Sequence, residues 1–437
     1  MAYNLMCGAG RADITPPLGT ILYGYAPGRP AESVGDPLVV NVIMVKSDGD
    51  SALLISCTLC SINTNTCWEL RKIAGEAAGV PAENVIINAT HTHSGPNCNS
   101  KSAWGDVNYE YIDTILKPAV EAAAKQAKET LQPAKVGFGE TMSDIGVNRR
   151  ELSEDGRILL GQNPWGPRDM RMTVVSFKGE DEKIIANLIH YSCHNTASGM
   201  NPEITRDWAG VMADMLEEEA GGITGFWAGL EGDQGPNLPN GKTTGTYKMA
   251  LRHGARAGAD AVRAFRSIKD WRDVPVKVLH DTIKIPFQPL ASKEEAQAEM
   301  DKYGSLEKLY AERRYSEVNN FMHWQEVMDV YNSNQPHKTH WEFEQSIVTI
   351  GPAAFVPVPF EAFIELGLRL RRNSPYQYTM SLAVCQGDDD YLPTLGEIAR
   401  GGYEIWSFKC GLATLYPLPD NTDDYWVKQN LELLRKG

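Results

Sequence analysis

The sequence has little of what would mark several common protein classes. Eight cysteines in 437 residues are too sparse for a disulfide framework, and read as reduced thiols they fit a reducing cytoplasm. Cationic surplus is also missing: 42 Lys and Arg against 56 Asp and Glu leave a net charge of −14. With no concentrated basic patch to offset it, nucleic acid and anionic membrane surfaces are not expected partners. No apolar run approaches the ~20 residues that span a bilayer, so no integral membrane segment is expected. The opening Met-Ala-Tyr-Asn-Leu-Met-Cys-Gly has neither a basic n-region nor an apolar h-region, and no signal peptide is expected from it. Repeats and low-complexity tracts are absent as well.

What is present is concentrated in short polar motifs. Residues 87–97 read Ile-Asn-Ala-Thr-His-Thr-His-Ser-Gly-Pro-Asn, with His91 and His93 just beyond the apolar run Val85-Ile86-Ile87. In extended backbone, residues i and i+2 point the same way, so both imidazoles can face one point before Ser94-Gly95-Pro96 turns the chain. Imidazole is the commonest metal ligand and titrates near neutrality, which suggests a metal or proton-transfer site. Structural hydrogen bonding explains many His-x-His pairs, so the rest of the chain has to decide.

Four further strand-length runs end on reactive residues. Ile184–Ile189 leads to His190 and His194, and Thr224–Ala228 leads to Glu231-Gly232-Asp233-Gln234. Ala353–Val358 leads to Pro359-Phe360-Glu361, and Thr379–Cys385 to Asp388-Asp389-Asp390-Tyr391. Helical patterns follow over Asn108–Lys128, Ala209–Glu219, Tyr247–Ser267 and Glu361–Arg372. The expected fold class is therefore α/β: a mixed β-sheet core flanked by helices, with ligands beyond the carboxyl ends of the strands. Two His, a Glu and a Tyr converging there make an N/O set for Zn²⁺ with room for a water. Residue by residue the bland readings stand beside this one. Glu361 suits a helix N-terminus, His190 suits a core position, and Cys57-x-x-Cys60 lies in an apolar segment where buried thiols are common.

The motifs span Gly10 to Tyr403, so residues 1–437 are expected to form one large domain although length alone allows two or three. Within it, 291–334 is expected to be a helical hairpin insertion. It opens on the capping box Ser292-Lys293-Glu294-Glu295, and it either packs on the core or, through Phe321, His323 and Trp324, acts as a lid. Packing is the favoured reading.

In order, these motifs resemble the catalytic domain of the neutral/alkaline (non-lysosomal) ceramidases. Gly10-Arg11-Ala12-Asp13-Ile14-Thr15 is similar to the family's opening motif, and His91-Thr92-His93-Ser94-Gly95-Pro96 to its signature segment. Val147-Asn148-Arg149, Cys193-His194-Asn195-Thr196 with Arg206-Asp207-Trp208, and Gly232-Asp233-Gln234-Gly235-Pro236-Asn237 resemble the middle blocks. Val358-Pro359-Phe360-Glu361 and Tyr391-Leu392-Pro393-Thr394 resemble the last two. The resemblance implies zinc held by His91, His194, Glu361 and Tyr391, with His93 beside the metal's water and Arg149 in the active site. It departs at Gln234-Gly235, where the family carries a serine, at Thr58, where it has an acidic residue, and at Asn97-Cys98, where it has a Gly-Gly variant. The chain also ends soon after the tyrosine block, without the family's immunoglobulin-like domain, and so resembles a short bacterial-type branch.

The expected chemistry is metal-assisted hydrolysis of an amide-type bond in a small-molecule or lipid-amide substrate. His93 would move the proton and Arg149 would stabilise the oxyanion or bind substrate. Gln234 and Asn148 are expected substrate contacts; Asp207 and Asp233 are expected to orient His or Arg. One alternative is the same zinc site acting on a small polar ester, lactone or sugar derivative. Gln234 and the acidic run Asp388–Asp390 favour that over ceramide. A non-catalytic binding protein on the same scaffold is a further alternative. A metal-free hydrolase using Ser94 or Cys193 has no Gly-x-Ser-x-Gly elbow to support it.

Overall fold

The computed structural model describes residues 4–25, 27–100, 103–333, 336–409 and 415–437. Its largest sheet has eight strands, in the order Ile223–Ala228, Ile184–Tyr191, Arg171–Gly179, Gln132–Met142, Met6–Asp13, Val39–Ser47, Asp50–Cys57 and Val85–Ala89. The two outermost pairs are parallel and the inner pairs antiparallel. A second, four-stranded sheet orders Val276–Pro286, His340–Ile350, Ala353–Pro357 and Tyr378–Leu382, with only the last pair parallel. The mixed sheet core predicted from the hydrophobic runs is thus two sheets.

These sheets stack face to face. Ile43, Leu54, Ile86 and Phe177 of the first meet Val348, Phe355 and Met380 of the second. On the first sheet's outer face, Leu70 and Ala74 of helix Thr64–Ala78 and Val120 and Ala123 of helix Lys117–Glu129 cover Val42 and Ile55. Trp208 and Met212 of helix Asp207–Ala220, with Ala257 of helix Tyr247–Arg266, cover Val174 and Ile189. Across the molecule, Leu366 and Leu370 of helix Ile364–Asn373 and Trp426 of helix Thr422–Leu434 cover Ala354 and Val356. Strands sandwiched in this way are buried on both faces. That is why residues 85–87 of Val85–Ala89, and Ala353–Pro357, read as apolar runs without alternation. Each large aliphatic side chain so buried contributes roughly 1.5–3 kcal/mol.

Close approach explains the opening motif. A Cβ on Gly10 would lie 2.0 Å from the Ala123 carbonyl oxygen, and one on Gly8 2.0 Å from that of Ala127. Only glycine lets helix Lys117–Glu129 sit this near the strand. Arg11 then pins the neighbouring layer through both guanidinium terminal nitrogens on Glu217, at 2.9 and 2.7 Å.

Two predicted helices differ in detail. The one expected to begin at Glu361 begins at Ile364, because Glu361–Ala362 forms a short parallel strand with Tyr391–Leu392. The one expected over 108–128 carries a π-helical segment, Ile112–Leu116, between its α-helical parts. The insertion is three helices, Lys293–Tyr303, Leu306–Ala311 and Tyr315–Ser333, where a hairpin was expected; residue 334 lies outside the described residues. Ser292 caps the first by accepting from the Glu295 N–H. Leu309 and Val318 pack with Ala103 and Trp104 in the segment that follows the His91–Pro96 loop. Among the described residues, no helix is long and apolar enough to cross a membrane.

Candidate metal centre

The histidine loop leaves its strand at Ala89 and immediately departs from extended geometry. His91 has φ of +62°, a left-handed conformation that is unfavourable for a residue other than glycine and is found where surrounding bonds enforce it. Here its N–H donates to the Leu59 carbonyl at 2.9 Å, and its Nδ1 lies 2.9 Å from the Cys60 carbonyl. The two imidazoles do converge, with His93 Nε2 3.1 Å from His91 Nε2. A turn brings them together, however, and not the i, i+2 alternation of a strand.

His194 comes from the loop after Ile184–Tyr191 at the opposite end of the same sheet. Its Nδ1 lies 2.8 Å from the Glu231 carbonyl, and its own carbonyl accepts from Trp208 Nε1 at 2.9 Å. Glu361 and Tyr391 arrive from the second sheet as direct partners in their short parallel bridge. Two carbonyls therefore claim the Nδ1 protons of His91 and His194, which makes Nε2 the acceptor nitrogen of each ring. Those nitrogens lie 3.2 Å apart, with Glu361 Oε2 3.4 Å from the first and 3.0 Å from the second. The Glu361 oxygen has no hydrogen-bond donor among the described residues.

Buried acceptors facing one another call for a positive charge between them. In the electrostatics of the side chains themselves that charge falls on His91. Burial opposes charge on His91, yet Glu361 and Cys60 hold its pKa well above the ordinary imidazole value. Burial likewise pushes the Glu361 carboxyl upward, but the two imidazoles more than offset this and hold it low. His194 is pushed down to about 3 by burial and then by Arg149. His93 is pushed well below the usual range by burial and by its neighbouring imidazoles.

Arg149 forms the adjoining wall. One terminal nitrogen is 3.0 Å from His194 Nε2 and the other donates to the Tyr391 hydroxyl at 2.8 Å. Its Nε donates to Glu404 at 3.1 Å, and Glu404 also accepts from Arg150 at 2.8 Å. Burial works against the Arg149 charge, but the Tyr391, Glu404 and Glu361 oxygens hold its pKa up. Arg149 therefore links Tyr391 to His194.

The remaining predicted residues are structural in their contacts. Gln234 is fully buried: its oxygen accepts from the Asp169 N–H at 2.8 Å, and its amide nitrogen donates to the Asp169 carbonyl at 2.9 Å and to the Ser192 carbonyl. The expectation that it enters a substrate crevice fails for that reason: every polar atom of the side chain is already bonded to backbone. Asn148 is similarly engaged, donating to the Pro167 carbonyl at 2.9 Å and to Asp233 at 3.1 Å while accepting from the Arg150 N–H at 3.0 Å. Asp233 also accepts from the Ile364 N–H at 2.7 Å, tying the Arg149 strand to the Glu361 segment. Asp207 accepts from the Ala197, Ser198 and Trp208 N–H groups and the Ser198 hydroxyl, which fixes the loop behind His194. Neither carboxylate bonds directly to an imidazole or to Arg149's guanidinium, as orientation of His or Arg had implied. His190 bonds to the Ser381 carbonyl at 3.0 Å, as a core histidine should.

Three residues to which the sequence assigned no role in the site lie close to it. Cys60, read as core, places its sulfur 3.9 Å from His91 Nδ1. Glu404 is the counter-ion of both arginines; its place directly after Tyr403 was the available signal. Glu231 is fully buried with neither carboxylate oxygen bonded among the described residues, and burial pushes its pKa well up. A cleft of about 1050 Å³ is lined by Asn63, Thr64, Asn65, Asn99, Ser100 and Asp388 and by none of the metal-centre side chains. The turn carrying Asp388 packs on the Glu361 segment, with the Asp389 N–H donating to the Pro359 carbonyl at 2.7 Å.

Comparison with known proteins bears on family and fold. Residues 5–253 match the family model described as neutral/alkaline non-lysosomal ceramidase, N-terminal. Neutral ceramidase A of Dictyostelium discoideum is 26% identical over 260 residues, covering 53% of this chain and 35% of the relative. Neutral ceramidase B of the same organism is 27% identical over 268 residues, again covering 53% and 35%. The chain thus spans about a third of the length of these relatives. The crystal structure of neutral ceramidase from Pseudomonas aeruginosa superposes with a TM-score of 0.74 at 17% identity, covering 100% of this chain and 75% of that one. At that identity the likeness concerns the fold. The family model, by contrast, matches more than half of the sequence, and the chain belongs to the neutral/alkaline non-lysosomal ceramidase family.

Proposed function

We propose that this chain is a zinc-dependent hydrolase of N-acyl amides, with the metal held by His91, His194 and Glu361 and with Tyr391 as a fourth candidate ligand. One observation carries the reading. Three acceptors, His91 Nε2, His194 Nε2 and Glu361 Oε2, converge at 3.2, 3.4 and 3.0 Å while both ring Nδ1 atoms face backbone carbonyls. Two imidazole nitrogens and a carboxylate oxygen suit zinc and leave a coordination position open. Zinc held by these three side chains would supply Lewis-acid chemistry to an acyl oxygen and to water.

The chain's own side chains supply the rest. His93 stands 3.1 Å from His91, placed to take a proton from the attacking water and deliver it to the amine nitrogen as the C–N bond breaks. Water thereby adds across the amide to give a carboxylate and an ammonium. Arg149, braced by Glu404 and beside Tyr391, is placed to stabilise the oxyanion. We read residues 1–437 as one catalytic domain. The 291–334 insertion is a packed wall in this reading, because Leu309 and Val318 are fully buried against the segment after the histidine loop.

Family membership favours a lipid amide of the ceramide type. The polar cleft at Asn63, Asn99 and Asp388 favours the second reading, in which the same site hydrolyses a small polar amide, ester, lactone or sugar derivative. Hydroxyl- and amide-rich walls lose hydrogen bonds against an alkyl tail and keep them against a hydroxylated group. The test is chelation followed by assay on long-chain fluorescent ceramide and on short N-acyl amides, esters and glycosides. Stripped protein should lose turnover and regain it with about one equivalent of zinc. Full turnover by stripped protein would remove the metal from the account. Efficient turnover of the small polar substrates, without ceramide, would select the second reading.

A further inference from the structure

A second cavity, of about 420 Å³, shares no residue with the metal centre. On one side it is walled by Leu238 and Pro239, just beyond the short strand Gln234–Pro236; on the other by Met249, Arg252, His253 and Arg256 of helix Tyr247–Arg266. Those four helix positions follow the i, i+3, i+4, i+7 spacing of one face. The volume lies within the range of small-molecule sites.

Its floor and mouth differ in chemistry. His253 is 2% exposed, and its Nε2 has no hydrogen-bond partner among the described residues. The ring bonds to the Ile145 backbone and packs edge-on against Trp208, with centroids 6.0 Å apart. Burial, and then Arg256, push its pKa down to about 4, so the imidazole is neutral at pH 7 and the open nitrogen is an acceptor. A buried acceptor with no donor is costly unless something supplies one. At the mouth, Arg252 makes no ion pair among the described residues. Arg256 spends one terminal nitrogen on Asp144 at 2.9 Å and remains about half exposed. Leu238, Pro239 and Met249 make the wall between apolar.

We propose that this cavity binds a small hydroxylated carboxylic acid, its carboxylate on Arg252 and Arg256, its hydrocarbon along Leu238 and Met249, and its hydroxyl donating to His253 Nε2. Arginine is suited to the carboxylate by its planar fork of donors. A plain fatty acid would leave His253 unsatisfied, and a neutral diol would leave Arg252 without a counter-charge. The site stands independently of the proposed hydrolysis.

Isothermal titration of the full chain with 6-hydroxyhexanoate, hexanoate and 1,6-hexanediol tests this directly. The hydroxy acid should bind tightest, hexanoate roughly tenfold more weakly, and the diol not measurably. The R252A/R256A double variant changes only exposed side chains and should fold normally, while weakening the hydroxy acid at least roughly tenfold. H253F, if folded, should bind the two acids equally. No heat from 6-hydroxyhexanoate up to roughly 10 mM, or affinity unchanged in R252A/R256A, would overturn the proposal. Equal affinity of the two acids for the unmodified chain would overturn the role of His253.

Discussion

Replacing Glu404 with glutamine isolates the part of the site that holds Arg149. Glu404 is 1% exposed and accepts from two guanidinium groups, Arg149 Nε at 3.1 Å and Arg150 Nη1 at 2.8 Å. Glutamine keeps one acceptor oxygen but turns an amide N–H₂ toward a buried cation. Losing one charge-assisted bond costs about 1.5–3 kcal/mol. Leaving a guanidinium buried without its counter-charge brings the expected loss to about 3–5 kcal/mol. Arg150 keeps a second partner, Glu397 at 2.9 Å, so the larger disturbance falls on Arg149. At about 2.1 cal/mol/K per residue, unfolding 437 residues has an entropy near 0.9 kcal/mol/K, and the melting point should fall by about 3–5 °C. Displacing a catalytic group by ~1 Å costs on the order of 10²-fold, so kcat should fall roughly ten- to hundredfold on whichever substrate the enzyme turns over. Metal content should not change, because Glu404 bonds to none of the three ligand side chains. Calorimetry, steady-state kinetics and elemental analysis on one preparation give all three readouts. Unchanged melting and unchanged kcat in E404Q would refute the argument that Glu404 positions Arg149.

Two other substitutions separate roles within the site. His93→Ala should retain its metal and lose roughly 10²–10⁴ in kcat, the range for proton-transfer groups; loss of metal together with activity would make His93 a ligand. Gln234→Ala should act on stability and leave substrate preference untouched. It strips partners from the Asp169 N–H and carbonyl and from the Ser192 carbonyl, at about 1–3 kcal/mol for each buried group left unpaired. A shift in preference between polar and lipid substrates, with melting unchanged, would return Gln234 to the substrate cleft.

Local signals carried well where one segment contains the whole cause. The runs at 85–89 and 353–358 are strands because they are short, apolar and bounded by turn residues, and the histidine loop stands where the first one stops. The layering was less visible, since two sheets stacked on one another leave the same apolar runs as one sheet covered by helices. Glu361 suited a helix start equally well in sequence; its pairing with Tyr391, thirty residues away, decided for a strand. His91 and His93 suggested convergence by alternation, whereas His91 sits in the left-handed region, its N–H donating to the Leu59 carbonyl and its ring facing the Cys60 carbonyl. Gln234 looked like a substrate contact because its position falls in a recognisable motif. Only the fold supplies Asp169 and Ser192 to occupy it. Cys60 and Glu404 fall into the same class: each acts through a neighbour brought in by tertiary structure, and spacing along the chain does not reveal that neighbour.

The central claim is that His91, His194 and Glu361 together hold one zinc. Elemental analysis of protein purified without chelator tests it most directly, on the unmodified chain and on His91→Ala and His194→Ala, with folding checked by circular dichroism. The account predicts about one zinc per unmodified chain and near-complete loss in each folded variant. Stoichiometric metal persisting in both variants would contradict it.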